Sequence, residues 1–489
     1  MKLFLTFMLL TSAVSAADSY KIDNIQFPHY VLPEVGGLGF NPNGELVVAL
    51  RRHGVLIAKP SADPKKFVWR VFSEDSLHNS CGLHVISNNE VIVSQMAELT
   101  RIKDTDGDGI ADLYQTISDK WGVSGNYHET NTITPDGKDG WYIAIGTASH
   151  NGPTFYNTKG KYSDEGREGR NYAAVQWKGW VLHIDKDGKT TPFASGFRAN
   201  NGITRSPDGK IYVTDNQGDW RGTSPLYHVE KGKFYGHPSS LVWDKDFVKN
   251  ISKNPLRHYI KDLKAYEKHR TPAAIEFPHG MMCNSPSEPF FDTKGNFGPF
   301  KGDCFVGDIA GGRIIRCMLE EVEGVMQGAC VKFINVKAGN NRLVFSPDGK
   351  SLYTGQTARG WQRNIAEGVQ RITYTGKTPF ALQKMSLLKD GFKLTFTKAV
   401  DKSTFSKSSF GLKKYHFISK QSYGSGTHDK KNLTITDAQL SSDGLSAIIK
   451  CDGLQNRRII QLDINSLKAL DGSSFAEKTH CYTINQLRK

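Results

Sequence analysis

The chain reads as an all-β protein: a six-bladed β-propeller followed by a C-terminal immunoglobulin-like β-sandwich. Three observations predict this. The first is a repeated phrase, an apolar run, a turn rich in Pro, Asn, Asp and Gly, and a second apolar run ending near an acid or amide. It occurs at Gly37 to Leu50, Gly82 to Gln95, Thr130 to Gly146, Asn201 to Asp215, Glu288 to Asp308 and Asn341 to Gln356. A hairpin phrase repeated six times with irregular inserts is how propeller blades look in one dimension. The second is composition: 48 glycines in 489 residues, with many short β-branched and aromatic runs and few helical periodicities. The third is that the phrase stops at Thr378. Beyond it, Gly391 to Asp401, the stretch from Asn432 and the final CYTIN alternate like sandwich strands.

Taken in order, residues 1–16 (MKLFLTFMLLTSAVSA) carry Lys2, a short apolar run and small residues before Ala17. This is the pattern of a cleaved secretory signal, too short to remain as a membrane span. It places the mature protein in the periplasm or outside the cell. Residues 17–377 form the expected propeller, closed by pairing of its terminal strands. Two long inserts, Thr147 to Arg198 and Asp215 to Pro286, exceed hairpin loops and are expected to wall the functional face. Residues 378–489 form the expected sandwich.

Seven cysteines in an exported chain suggest disulfides, with Cys317 to Cys330 and Cys451 to Cys481 as the expected pairs. The formal net charge of +14 favours acidic partners such as anionic polysaccharide or an acidic electron-transfer protein, set against the plainer reading of solvated lysines. No basic helix or nucleic-acid motif is present, and no later stretch is apolar enough to span a membrane.

Propellers gather their chemistry at one end of a central channel, which directs attention to residues at strand starts and ends. His128, in GNYHETNTITPDG, precedes the third blade and is placed to accept a proton near neutral pH. Arg198, Asn200 and Asn201 precede the fourth, where a guanidinium and amides suit a carboxylate or sugar hydroxyls. Gln95, Asp215 and Gln217 end blades, and Asp308, Arg313, Arg342, Arg359 and Trp361 stand at like positions in the last two. The alternative for these groups is that they pin adjacent blades together. Separately, DTDGDGIAD sets Asp104, Asp106, Asp108 and Asp112 at calcium-loop spacing, with the Ile110 carbonyl as a further ligand. Gln115 stands where a bidentate Glu closes such loops, so an ion here is expected to stiffen a turn. HExxH, GxSxG, P-loop and CxxCH motifs are all missing.

On the segments SQMAELTRIKDTDGDGIAD, NYHE, FRANNGI, DNQGDWRGTSPLYHVEKGKFYGHP, FGPFKGDCFVGD and NRLVFSPDGKSLYTGQTARGW, the chain resembles exported bacterial dehydrogenase-like propellers, often fused to a c-type cytochrome. More distantly it is similar to the soluble quinoprotein aldose dehydrogenases, which oxidise sugars with pyrroloquinoline quinone (PQQ) and calcium. The resemblance implies His128 as the base taking the hydroxyl proton, Arg198 holding the quinone oxygens, and Asn200 and Gln217 as its polar neighbours. At two places the pattern departs. Gly311, Gly312 and Arg313 stand where those enzymes grip a cofactor carboxylate with lysine, and Gly339, Asn340 and Asn341 where they carry paired arginines, with only Arg342 following. Each charge-assisted bond so lost costs roughly 1.5–3 kcal/mol.

The resulting expectation is an exported sugar or alcohol dehydrogenase using PQQ, with Ca²⁺, a carbohydrate substrate and an external electron acceptor. Two alternatives stand beside it. One is a non-catalytic propeller that binds carbohydrate or a cell surface. The other is a divalent-metal hydrolase or lyase drawing ligands from Glu129, Asn131, Asn201, Asp215 and Asp308.

Overall fold

The computed structural model describes residues 16–489 except 75–76, 125–130, 150–158, 167–168 and 358–365. Each of the six repeated phrases folds as the first and second strands of an antiparallel sheet, four-stranded in every case but the fifth. In the first sheet these are Val35–Phe40 and Leu46–Leu50, joined by a turn with Gly44 at φ 77°. The first strands of the other five are Gly82–Val85, Asn131–Pro135, Gly202–Arg205, Pro286–Phe291 and Asn340–Phe345. Second strands such as Leu46–Leu50 and Ile211–Thr214 are buried along their whole length, because each sheet is covered on both faces. Their continuous apolar character follows from that.

Each first strand touches the first strand of the next sheet, and that of the sixth touches that of the first. Together they surround a cavity of about 320 Å³, lined by Leu38, Leu83, Ile133, Ile203, Glu288 and Val344, one from each sheet. The sixth sheet takes its fourth strand from the other end of the chain: Tyr20–Ile25 pairs antiparallel with Gly368–Tyr374 over six residue pairs. This is the terminal-strand pairing the sequence led us to expect.

The two long inserts are only partly excursions. Thr147 to Arg198 supplies the outer strands of the third sheet, Trp180–Ile184 and Thr190–Ser195. Asp215 to Pro286 supplies those of the fourth, Ser224–Val229 and Ile275–Phe277. Between the latter lie three short helices, Lys245–Asn250, Pro255–Lys261 and Leu263–His269. Asp244, Asn254 and Asp262 accept backbone N–H groups at their starts, the N-cap chemistry of short polar side chains.

After residue 377 the chain builds two sheets around one core. Four strands, Leu382–Leu388, Gly391–Phe396, Ser446–Cys451 and Ile435–Leu440, form one of them. The others, Thr479–Ile484, Arg458–Ile464, Phe410–His416 and His428–Leu433, continue the fifth sheet outward, so that it runs to eight strands. The join is Val325–Asn335 against Thr479–Ile484, with Gly328 opposite Thr483 and Val331 opposite His480. Met318, Val322, Ala329 and Val331 of the fifth sheet share a core with Phe392, Leu394, Ile449 and Leu462. A separate module does not describe this region fully, because its core borrows one wall from the fifth sheet.

All seven cysteines are buried thiols, which corrects both expected disulfides. Cys330 and Cys481 face each other across the join, and Cys317 faces Cys330. Cys451 cannot meet Cys481, because alternate residues of Thr479–Ile484 point to opposite faces: Tyr482 and Ile484 lie in the core with Cys451, and Cys481 in the other.

Candidate functional site

The candidate site residues gather where the first strands begin and the second strands end. Asp215, at the end of Ile211–Thr214, is fully buried and accepts five hydrogen bonds or ion pairs. Its oxygens receive the backbone N–H groups of Arg198 (2.8 Å), Ala199 (2.7 Å) and Asn216 (2.8 Å), and Arg221 donates from Nε (3.2 Å) and Nη2 (3.1 Å). Asp308 repeats the device in the fifth sheet, accepting from the backbone of Ser285 (3.0 Å), Gly311 (3.1 Å) and Asn284 (3.2 Å) and forming an ion pair with Arg313 Nε at 3.3 Å. A carboxylate at the end of the second strand thus fastens the loop that leads into the first. These two groups have no capacity left for an ion, contrary to their expected role as metal ligands.

Arg198 is held in the same way. Its Nε donates to Asp219 at 2.7 Å and its Nη1 to the Gln217 carbonyl at 3.2 Å, and the residue is 6% exposed. Asp219 also accepts from His237 Nε2 at 3.1 Å, while the Ser239 hydroxyl lies 2.8 Å from His237 Nδ1. Burial alone pushes the Asp219 carboxyl up, but His237 and Arg198 together outweigh it and hold the group well below the usual carboxylate range. Burial keeps His237 below its ordinary value, so the neutral ring donates to Asp219 and accepts from Ser239.

A loop from beyond residue 377 covers this arginine. Gly218 and Asp219 meet residues 419–425 through Trp220 N–H to the Lys420 carbonyl (2.7 Å), Gly424 N–H to the Gly218 carbonyl (2.8 Å) and Ser425 N–H to the Gly222 carbonyl (2.9 Å). Tyr423 places its ring 5.3 Å from the Arg198 guanidinium and 4.7 Å from that of Arg170. Gln217 Nε2 donates to the Gly222 carbonyl at 3.0 Å, inside the same loop.

Arg342 lies across the top of the channel. Its Nε donates to the Gly36 carbonyl (2.8 Å), its Nη1 to those of Asn201 (2.9 Å) and Asn341 (2.8 Å), and its Nη2 to that of Cys81. One guanidinium therefore ties the sixth sheet to the first, second and fourth. Asn201 Nδ2 donates to Asn341 Oδ1 at 2.9 Å, and Asn341 Nδ2 to the Val35 carbonyl at 3.2 Å. Below it, Glu288 accepts from Leu343 N–H at 2.9 Å. Burial pushes Glu288 up to about 7, against the lowering effect of Arg342.

Gln95 is turned inward, accepting from His78 N–H (2.6 Å) and donating to Thr100 Oγ1 (2.7 Å), and Asn200 is fully buried. His128, Glu129, Arg359 and Trp361 lie outside the described residues. Asn131 Oδ1, Thr132 Oγ1 and Asn201 Oδ1 are buried at this end with no hydrogen-bond partner among the described residues.

The structure brings most of the expected residues to one end of the channel, but it has them hold the sheets together. A tricarboxylate quinone needs cations free to receive it, and among the described candidates Arg198, Arg313 and Arg342 are each already engaged. The described residues do not fit that cofactor. Asp219, His237, Tyr423 and Glu288 were not singled out from sequence. Asp219 sits within the quoted DNQGDW segment, whereas nothing local marks Tyr423, whose partner lies over two hundred residues away.

The acidic loop stands apart, in the turn between Leu99–Lys103 and Leu113–Ser118 at the outer edge of the second sheet. Asp104, Asp106 and Asp108 bring carboxylate oxygens within 4.8 Å of one another, the one such grouping among the described residues. Asp104 is 3% exposed and accepts Gly107 N–H (2.6 Å) and Gly109 N–H (3.0 Å). Asp112 turns away to Thr105, accepting at 2.8 and 2.6 Å, which corrects its place in the ligand set; the Ile110 side chain is exposed beside it. Three converging carboxylates with glycine amides behind them fit a divalent ion at an oxygen-ligand spacing.

Residues 69–277 match a family described as a domain of unknown function (DUF7133). No curated protein matches the chain. Among solved structures, the iodide form of the Trichoderma reesei Carbohydrate-Active Enzymes Family AA12 protein is similar at 12% identity and a TM-score of 0.52, over 76% of this chain and 100% of that one. The calcium structure of that protein gives 12% identity and 0.50, over 76% and 99%. The holo PQQ domain of a pyranose dehydrogenase from Coprinopsis cinerea gives 15% identity and 0.49, over 73% and 96%. The neighbours thus include PQQ-dependent sugar dehydrogenases at low identity, and the likeness is one of fold.

Proposed function

We propose that the chain is an exported, carbohydrate-directed propeller of oxidoreductase-like fold. Six blades close by pairing of Tyr20–Ile25 with Gly368–Tyr374, and a β-sandwich grows from the fifth. In this reading residues 1–16 direct export, residues 17–377 form the propeller and 378–489 the sandwich. It recognises sugar hydroxyls at the end of the channel where the first strands begin. The observation that carries this reading over a quinone enzyme is the engagement of Arg198 with Asp219 at 2.7 Å beneath Tyr423. Amides and hydroxyls at that end suit neutral polyols, whereas Arg198, Arg313 and Arg342, the described candidate arginines there, are each already engaged. Ca²⁺ bound by Asp104, Asp106 and Asp108 stiffens an outer turn, remote from the channel.

A second reading, the PQQ-dependent aldose dehydrogenase with His128 as general base, is favoured by the residue resemblance around NYHE and FRANNGI. Titration of the calcium-loaded mature protein with PQQ, followed by absorbance, and then with a sugar panel, decides between them. Saturable sugar binding without quinone uptake at micromolar concentration is the expected result. Stoichiometric uptake, with bleaching on sugar addition that is lost in His128→Ala, would establish the dehydrogenase.

A further inference from the structure

A second cavity, of about 300 Å³, opens at the seam between the helical insert of the fourth sheet and the strands beyond residue 377. It has no part in the channel site. Arg270 and Glu267 enter from the helix Leu263–His269 and its end, Glu276 from the strand Ile275–Phe277, Arg457 and Arg458 from the turn leading into Arg458–Ile464, and His416 from the end of Phe410–His416.

Three cations face this space, and two are balanced. Arg270 pairs with Glu267, Nη2 to Oε2 at 2.8 Å. Arg458 reaches Asp429 with Nη2 at 3.4 Å and the Arg457 carbonyl with Nη1 at 3.0 Å, while its Nε is buried without a hydrogen-bond partner. His416 Nδ1, 3.6 Å from Asp429, is likewise unpartnered. Two groups remain. Among the described residues Arg457 makes no ion pair, and the Glu276 carboxylate makes neither hydrogen bond nor ion pair, its backbone N–H alone being used, by Thr483 Oγ1 at 2.9 Å. They line one cavity without meeting each other. The turn also holds Arg457, an exposed residue lining the cavity, at φ 59°, a left-handed conformation that L-residues avoid.

We propose that this seam cavity binds a hydroxycarboxylate of uronic acid type, its carboxylate on Arg457 and Arg458 and its hydroxyls donating to Glu276. A guanidinium recognises a carboxylate through parallel N–H bonds. An unpartnered carboxylate across the same space requires a donor, which a bare oxyanion lacks and a sugar acid carries. Burial and the neighbouring charge of Arg270 both disfavour the Arg457 cation, a condition an incoming carboxylate relieves. The net charge of +14 draws such ligands in. The source is either a free uronate or the end residue of an acidic polysaccharide. This site stands whether or not the channel binds sugar, because it shares no residue with it.

Calorimetric titration of the full mature chain with galacturonate, oligogalacturonide, galactose and sulfate tests the assignment. Saturable galacturonate binding is expected, weakened by about tenfold or more in Arg457→Gln and in Glu276→Gln, whereas any galactose binding belongs to the channel and is the same in wild type and both variants. Tighter binding of the oligomer than of the monomer identifies the polysaccharide end as the source; equal binding identifies the free acid. Sulfate binding as tight as galacturonate would show that the cavity reads charge alone and would overturn the assignment, as would galacturonate binding unchanged in both variants. No saturation by galacturonate up to about 10 mM would also overturn it. Thermal melts of both variants verify folding, and the isosteric Glu276→Gln alone suffices if the arginine variant unfolds.

Discussion

The arginines at the head of the channel and those at the seam teach different lessons from the same side chain. Arg342 spends its guanidinium on carbonyls of three other sheets, and Arg198 is locked between Asp219 and the Gln217 carbonyl. Arg457, by contrast, faces a cavity and makes no ion pair among the described residues. A guanidinium at the expected functional position is therefore structural here, and one that sequence reading passed over is available. Donors already committed fix geometry; only uncommitted ones recognise a ligand.

The sharpest way to break this contrast is Arg342→Met. It leaves buried carbonyls of Gly36, Cys81 and Asn201 without their donor, a loss of about 3–5 kcal/mol, whereas Arg457→Gln is expected to shift stability by less than about 0.5 kcal/mol. Denaturant melts of the two variants read the difference directly; comparable losses would remove the distinction.

Glu288 sharpens the same comparison through pH. Its carboxyl, pushed up to about 7 by burial, binds a proton more tightly folded than unfolded. Its contribution to stability is fully present below the ordinary glutamate value and is lost as pH rises through about 7. Glu288→Gln is expected to flatten that loss, raising stability at pH 8 by on the order of 1 kcal/mol and leaving pH 4 unchanged. Parallel melts of wild type and variant across that range check it, and a pH-independent difference would refute the assignment.

The smallest expected effect is that of Tyr423→Ala, which removes a ring over Arg198 and Arg170 at a cost of about 0.5–1 kcal/mol. Its use lies in a second readout. If Tyr423 only covers a committed arginine, PQQ uptake stays absent in the variant; uptake appearing there would show that the loop, and not Asp219, withholds Arg198.

The six hairpins were legible because each is local: residues six to twenty apart carry the apolar runs and the turn glycines that fold them, as with Gly44. Pairing of the chain's beginning with Gly368–Tyr374 was legible from topology alone, since the sixth sheet lacked a strand. The positions of Arg198, Gln217 and Arg342 at one end followed from strand phase. What they do there did not follow, because their partners are set by three-dimensional neighbours: Asp219 by the loop crossing beneath Tyr423, and Gly36 by ring closure. The disulfide expectation failed for a comparable reason. Spacing cannot reveal which face of Thr479–Ile484 each side chain takes, and Cys451 and Cys481 take opposite ones.

The shared fifth sheet has a consequence for how the gene can be cut. Val325–Asn335 is an eleven-residue strand whose outer side is covered by the final strand of the chain. A product ending near residue 377 keeps every blade yet leaves the edge from Gly328 to Val331 without its partner strand and bares Met318, Val322 and Val331, a template for chain-to-chain association. Thr479–Ile484 thus acts as a cap on a blade made some 150 residues earlier, and during synthesis that edge waits open until this strand has been made.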